Sequence, residues 1–183
     1  MNLPNKLTMF RVALIIPFMI CLICGGTAPK IAALVIFMIA SATDWLDGFI
    51  ARRDGLVTNF GKFADPLADK LLTFSAITIF TGQGKFSSVA LFIILARELA
   101  VTGFRLIAVE KGVVIAAAWS GKVKTFVQLV AIIILLITEI LAEFGVNIPY
   151  MIIYSSAAWI MAALTVYSGC EYFIKNRKVL SDN

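Results

Sequence analysis

Apolar residues gather into six long runs, at about residues 7–25, 29–51, 63–82, 86–109, 118–142 and 148–172. Each run is close to the roughly 20 residues that a helix needs to cross the hydrocarbon core of a bilayer. Helix-breaking residues separate the runs: Gly25-Gly26 with Pro29, then Gly55, Gly82 with Gly84, Gly112, and Gly145 with Pro149. The pattern predicts an all-α integral membrane protein, a six-transmembrane-helix bundle forming a single domain over residues 1–183. An even number of spans puts both termini on one face. The basic start and the first apolar stretch imitate a secretory leader, but the hydrophobic segments downstream make an uncleaved first span the better reading.

Composition narrows the class. A mean hydropathy of +0.95 and 15% charged residues exclude an ordinary soluble core and a disordered chain. The net charge of +5 comes from basic residues scattered between apolar runs, not massed on a face. They read as topology signals and anion ligands, with no nucleic-acid surface. Lys6, Arg11, Arg52, Arg53, Lys62, Arg105, Lys111, Lys122, Lys124, Lys175, Arg177 and Lys178 fall on one face of the six-span arrangement. The opposite face has Lys30 and Lys85. The positive-inside rule therefore makes both termini and the connection after the second span cytoplasmic, in a cell membrane. Histidine is absent, so no imidazole base or histidine metal ligand is possible. Cys21, Cys24 and Cys170 lie in apolar runs and read as membrane packing. Trp45, Trp119 and Trp159 near helix ends read as interface anchors, as do Lys175, Arg177 and Lys178.

Spans two to five each carry ionisable residues, which inside a membrane face a bundle interior or a wet cavity. This predicts a polar chamber open to the cytoplasm. Its densest part is residues 41–72, SATDWLDGFIARRDGLVTNFGKFADPLADKLL, with five aspartates and four cationic side chains. Asp44 and Asp47 are three apart at the end of helix two; Asp65 and Asp69 are four apart at the start of helix three. Each pair shares a helix face. Pro66 suits the first turn of helix three, and a loop of roughly ten residues lets the two helix ends lie side by side. Four converging carboxylates repel one another and raise their own pKa values unless cations intervene. Hard Mg²⁺ accepts such oxygens and binds together with phosphates. The plain alternative is that these residues cap helices and pair with Arg52, Arg53, Lys62 and Lys70.

The run Asp44-x2-Asp47-Gly48-x2-Ala51-Arg52-x8-Gly61-x3-Asp65-x3-Asp69 resembles, without a departure, the signature of the CDP-alcohol phosphatidyltransferases. That resemblance implies a six-helix membrane enzyme, usually a homodimer, that moves a phosphatidyl group from a CDP-lipid to an alcohol and releases CMP. It implies two Mg²⁺ or Mn²⁺ ions per active site, one held by Asp44, Asp47 and Asp65 and the other by Asp44, Asp65 and Asp69. Asp69 is then also the proton acceptor, Gly48 and Arg52 contact the CDP group, and Thr58 assists there. The residue chemistry agrees: glycine admits a close backbone approach, and an arginine fork grips a phosphate.

The acceptor must be read from the rest of the chain. Glu98, Thr102 and Arg105 form a polar stripe on helix four beside Arg97, at i, i+4 and i+7. Gly121-Lys122-Val123-Lys124-Thr125 opens helix five, with Lys122 and Thr125 on one face and Lys124 elsewhere. Asn5, Thr8 and Arg11 recur at i, i+3 and i+6. These groups could surround a second anion. Alternatively, Arg97 and Glu98 neutralise each other while Lys122 and Lys124 anchor the topology. The stretches NLPNKLTMFR, LARELAVTGFRLIA and GKVKT resemble the phosphatidylglycerophosphate synthase branch of the family, which implies CDP-diacylglycerol as donor and sn-glycerol 3-phosphate as acceptor. Rival readings are a sister enzyme using inositol phosphate, serine or phosphatidylglycerol, and a cation transporter or channel.

Overall fold

In the computed structural model, residues 3–53, 59–113, 115 and 118–177 are described; the side chains of residues 3–5, 44–53, 59–66 and 69 fall outside that description. Among the described residues the chain is all helical: α1 (Leu3–Ile23), α2 (Thr27–Arg53), α3 (Asn59–Gly82), α4 (Ser88–Glu110), α5 (Trp119–Glu143) and α6 (Tyr150–Lys175). The protein is an all-α integral membrane protein. Windows long and apolar enough to cross a bilayer occur in α1 (Lys6–Ile23), α5 and α6, and shorter apolar stretches in α2 (Thr27–Thr43) and α3 (Lys70–Gly82). In α4, Arg97, Glu98 and Arg105 interrupt the apolar sequence.

The apolar runs underestimate helix length wherever the first or last turn is polar. α3 starts at Asn59, so Pro66 lies inside the helix and not in its first turn, and only residues 54–58 separate α2 from α3, fewer than the roughly ten expected. Two helix ends follow directly from glycine. Gly112 (φ 73°) and Gly145 (φ 73°) take the left-handed conformation just past α4 and α5. The N–H of Val113 donates to Ala108 and that of Gly112 to Val109, while Val146 donates to Leu141 and Gly145 to Ala142. These bonds satisfy carbonyls that a helix end otherwise leaves open.

Two compact units share α5. The first comprises residues 1–80 and 132–148; the second comprises 81–131 and 149–183. In the first, α1 packs along α2. Buried residues on α1 are Thr8, Arg11, Ile15, Phe18 and Leu22, and on α2 Ala33, Phe37 and Ala40. Alternating steps of three and four residues keep each set on one face. Phe18 and Phe37 meet across this contact with ring centroids 5.7 Å apart. In α3, Ala68, Leu72, Ala76 and Phe80 are buried.

In the second unit, α4 packs along α6. The Ser87 hydroxyl caps α4 by accepting from the Ala90 N–H at 3.4 Å. The buried face of α6 is rich in small residues, Ala158, Ala162, Thr165, Ser168 and Gly169, which lets α4 approach closely. Beyond them, Val101, Phe104 and Tyr172 form an apolar cluster that Ile115 and Phe173 cover. Phe104 stands edge-on to Tyr172 at 5.6 Å and to Phe173 at 5.3 Å.

Candidate active site

Helical register places the acidic pairs. On α2 the buried positions Ala33, Phe37 and Ala40 continue, by steps of four and three, to positions 44 and 47. On α3 positions 65 and 69 lie in line with buried Leu72 and Ala76, one and two turns further on. At 100° per residue, positions 44 and 47 continue the register of Ala33, Phe37 and Ala40, and positions 65 and 69 that of Leu72 and Ala76; all four belong to the first unit. The side chains of Asp44, Asp47, Gly48, Arg52, Asp65 and Asp69 lie outside the described residues, as does all of Thr58.

α1 contributes to the same unit. Thr8 and Arg11 are both 0% exposed, and Arg11 is among the largest fully buried side chains described. Neither is without a partner. A guanidinium removed from water is tolerated only where other groups meet its charge and its donors. α1 therefore brings a cation into the packed interior, on the same face as Ile15, Phe18 and Leu22. Asn5, the third residue of the proposed α1 set, has its side chain outside the described residues.

The second unit brings together another part of the prediction. Glu98 is buried, and its Oε1 accepts from Arg97 Nη1 at 3.1 Å and from the ammonium of Lys124. Arg97 Nη2 also donates to the Ser168 hydroxyl at 2.7 Å. Glycine at 169 makes room for this arginine: a Cβ there would stand 2.9 Å from Arg97 Cγ. Thr102, in the polar stripe, donates its hydroxyl to the Glu98 carbonyl at 2.7 Å. Arg105 is exposed, and its guanidinium carbon lies 5.7 Å from the centre of the Tyr172 ring. Lys122 and Thr125 share the exposed face of α5, whereas Lys124 turns to the buried face. Thus Arg97 and Lys124 converge on one carboxylate, and Arg105 and Lys122 remain open to the surroundings of the chain.

One polar cluster was not foreseen. Lys30, read from sequence only as a topology signal, sits one turn before Ala33 on α2. Its Nζ lies 2.8 Å from Glu139 Oε2 and 2.6 Å from Glu143 Oε1 of α5, within the first unit. The signal was present: an acid inside an apolar helix calls for a partner, and Glu139 and Glu143 are one turn apart. Ser168 and Gly169 were missed because small residues on a helix face carry no distinctive pattern.

The sequence profile described as CDP-alcohol phosphatidyltransferase matches residues 1–168. The chain is 42% identical over 191 aligned positions to the CDP-diacylglycerol–glycerol-3-phosphate 3-phosphatidyltransferase of Bacillus subtilis (strain 168), covering 98% of this chain and 97% of that protein. A protein of the same name from Rickettsia bellii (strain RML369-C) is 36% identical, over 94% of this chain and 93% of its own length. The protein named probable phosphatidylglycerophosphate synthase in Mycobacterium tuberculosis (strain ATCC 25618 / H37Rv) is 44% identical over 72% of this chain and 64% of its own.

Proposed function

Because the chain belongs to the CDP-alcohol phosphatidyltransferase family, we propose that it transfers the phosphatidyl group of CDP-diacylglycerol to sn-glycerol 3-phosphate, giving phosphatidylglycerophosphate and CMP. What supports this reading is helical register: counted along α2 and α3, positions 44, 47, 65 and 69 continue the spacing of the buried residues Ala33, Phe37, Ala40, Leu72 and Ala76. Carboxylates set there form a hard-oxygen donor set, and they fit a divalent cation better than they fit solvent-exposed helix caps. The family is generally divalent-metal dependent. We assign two ions, Mg²⁺ or Mn²⁺, to Asp44, Asp47 and Asp65 and to Asp44, Asp65 and Asp69. Bound there, such ions would offset charge on a diphosphate and on the oxygen that leaves.

The chain's own residues divide the remaining work. Arg52 presents a planar fork to the donor's phosphates, Gly48 admits the nucleotide close to the backbone, and Thr58 adds a hydroxyl. A free hydroxyl of the acceptor forms a bond to the phosphatidyl phosphorus, and the bond from that phosphorus to the bridging oxygen of the diphosphate breaks. CMP leaves with that oxygen. Asp69 accepts the hydroxyl proton, a role that a chain without histidine gives to a carboxylate. In the second unit Arg105 and Lys122 hold the acceptor's phosphate and Arg97 and Lys124 take part; Asn5, Thr8 and Arg11 of the first unit are further anion ligands. We assign the protein a polar chamber open to the cytoplasm, where the Lys and Arg distribution also puts both termini. The enzyme works as a single catalytic domain and as a homodimer, as the family resemblance implies.

The acceptor assignment is tested by varying both substrates in Arg105→Ala and Lys122→Ala proteins. A charge-assisted hydrogen bond is worth about 1.5–3 kcal/mol, so each variant should raise the acceptor KM roughly ten- to a hundredfold and leave the CDP-diacylglycerol KM nearly unchanged. A raised donor KM with an unchanged acceptor KM would assign these residues to the donor. Transfer to a neutral alcohol such as serine in preference to glycerol 3-phosphate would favour a sister activity.

A further inference from the structure

We infer that Glu98 is a positioning residue for the acceptor: it holds Arg97 and Lys124 in place before the substrate arrives. The inference rests on the acceptor reading above. A single oxygen, Glu98 Oε1, receives both Arg97 Nη1 and the Lys124 ammonium, so one carboxylate couples cations from α4 and α5. Arg97 is fixed from a second direction by Ser168 Oγ at 2.7 Å, and its stem lies in the space that Gly169 leaves on α6. All three helices of the second unit therefore contribute to the position of one guanidinium.

The physical reason for such a hub is entropic. Lysine and arginine side chains each lose about 1.5–2 kcal/mol of rotamer freedom when they are fixed. If the substrate had to order them, that cost would come out of its binding free energy. Here the side chains of Arg97, Glu98 and Lys124 are each about nine-tenths buried, and the hydrogen bonds among them already set their rotamers. Arg97 Nε is buried with no hydrogen-bond partner among the described residues, so the guanidinium is held at the cost of one of its own donors. A network serving only cohesion gains nothing from leaving that donor open. The carboxylate also separates two cations that would otherwise repel each other. Glu98 touches no reacting group in this account; it acts through Arg97 and Lys124.

The test uses the full-length chain in detergent or lipid nanodiscs, with CDP-diacylglycerol and glycerol 3-phosphate both varied. Glu98→Gln keeps the shape and removes the charge. It should raise the acceptor KM about tenfold, on the scale for losing a charge-assisted hydrogen bond, with the donor KM changed by less than about twofold. Glu98→Asp should fall between the two, and Lys124→Gln combined with Glu98→Gln should be no worse than Lys124→Gln alone. Should Glu98→Gln fail to fold, Ser168→Ala removes one restraint on Arg97 and should raise the acceptor KM about threefold by itself. An unchanged acceptor KM in these variants, with only a lower unfolding temperature, would make the network purely cohesive and overturn the inference. CMP release by the wild-type chain that ignores glycerol 3-phosphate would instead overturn the proposed reaction, and the inference with it.

Discussion

Replacing Lys30 with methionine tests how the first unit is held together, independently of catalysis. Lys30 Nζ sits 2.8 Å from Glu139 and 2.6 Å from Glu143, and its side chain is 12% exposed. Lys30→Met keeps most of the stem but removes the ammonium, which leaves the carboxylate of Glu139, 5% exposed, without its lysine. Breaking a buried pair from one side costs about 3–5 kcal/mol, because the remaining charge stays desolvated. Glu143, at 30% exposure, can turn toward solvent, so the lower end of that range applies. A loss near 3 kcal/mol corresponds to an unfolding temperature about 6–12 °C lower for a chain of this size. Glu139→Gln added to Lys30→Met removes the stranded charge and should restore more than half of the loss. Thermal unfolding in detergent, followed by loss of helical circular dichroism, reads wild type, Lys30→Met, Glu139→Gln and the double variant. Equal unfolding temperatures for wild type and Lys30→Met would mean that the Lys30 ammonium does not hold Glu139 and Glu143 in the folded unit. So would a double variant whose loss equals the sum of the two single losses.

Three further outcomes are expected. Asp69→Asn keeps size and one oxygen ligand but removes the base; turnover should fall at least about a hundredfold in CMP-release assays while CDP-diacylglycerol binding survives. Excess chelator should abolish activity and added Mg²⁺ or Mn²⁺ restore it; full activity in chelator would exclude the assigned ions. Gly169→Ala would place a methyl carbon 2.9 Å from Arg97 Cγ, well inside the 3.5–4.0 Å of ordinary carbon contact. It should cost about 1–3 kcal/mol in unfolding measurements, and no loss would mean that Arg97 moves freely aside.

The long apolar runs made all six helices legible, because each is near one bilayer crossing and every connection between them contains glycine or proline. What the runs hid was polar helix: the first turn of α3, Asn59 to Lys62, carries too little apolar sequence to be counted, and Pro66 was therefore misplaced. The aspartate pairs were legible as pairs from their spacing. Their alignment with buried Ala33, Phe37, Leu72 and Ala76 required knowing which face of each helix packs. On α5, counting residues separated Lys122 from Lys124 correctly but could not say which of the two was buried. That depended on Glu98, a residue 26 positions away that meets Lys124 only once the second unit has folded. The pairing of Lys30 with Glu139 and Glu143 spans more than a hundred residues, beyond the reach of local periodicity.

Purified protein supplied with CDP-diacylglycerol, Mg²⁺ and radiolabelled glycerol 3-phosphate, with label followed into the lipid phase alongside CMP, reports the transfer itself. Label should enter a lipid carrying an extra phosphate, formed one for one with CMP and lost in Asp69→Asn. CMP formed without label in lipid, or label transferred equally well by Asp69→Asn, would contradict the proposed transfer.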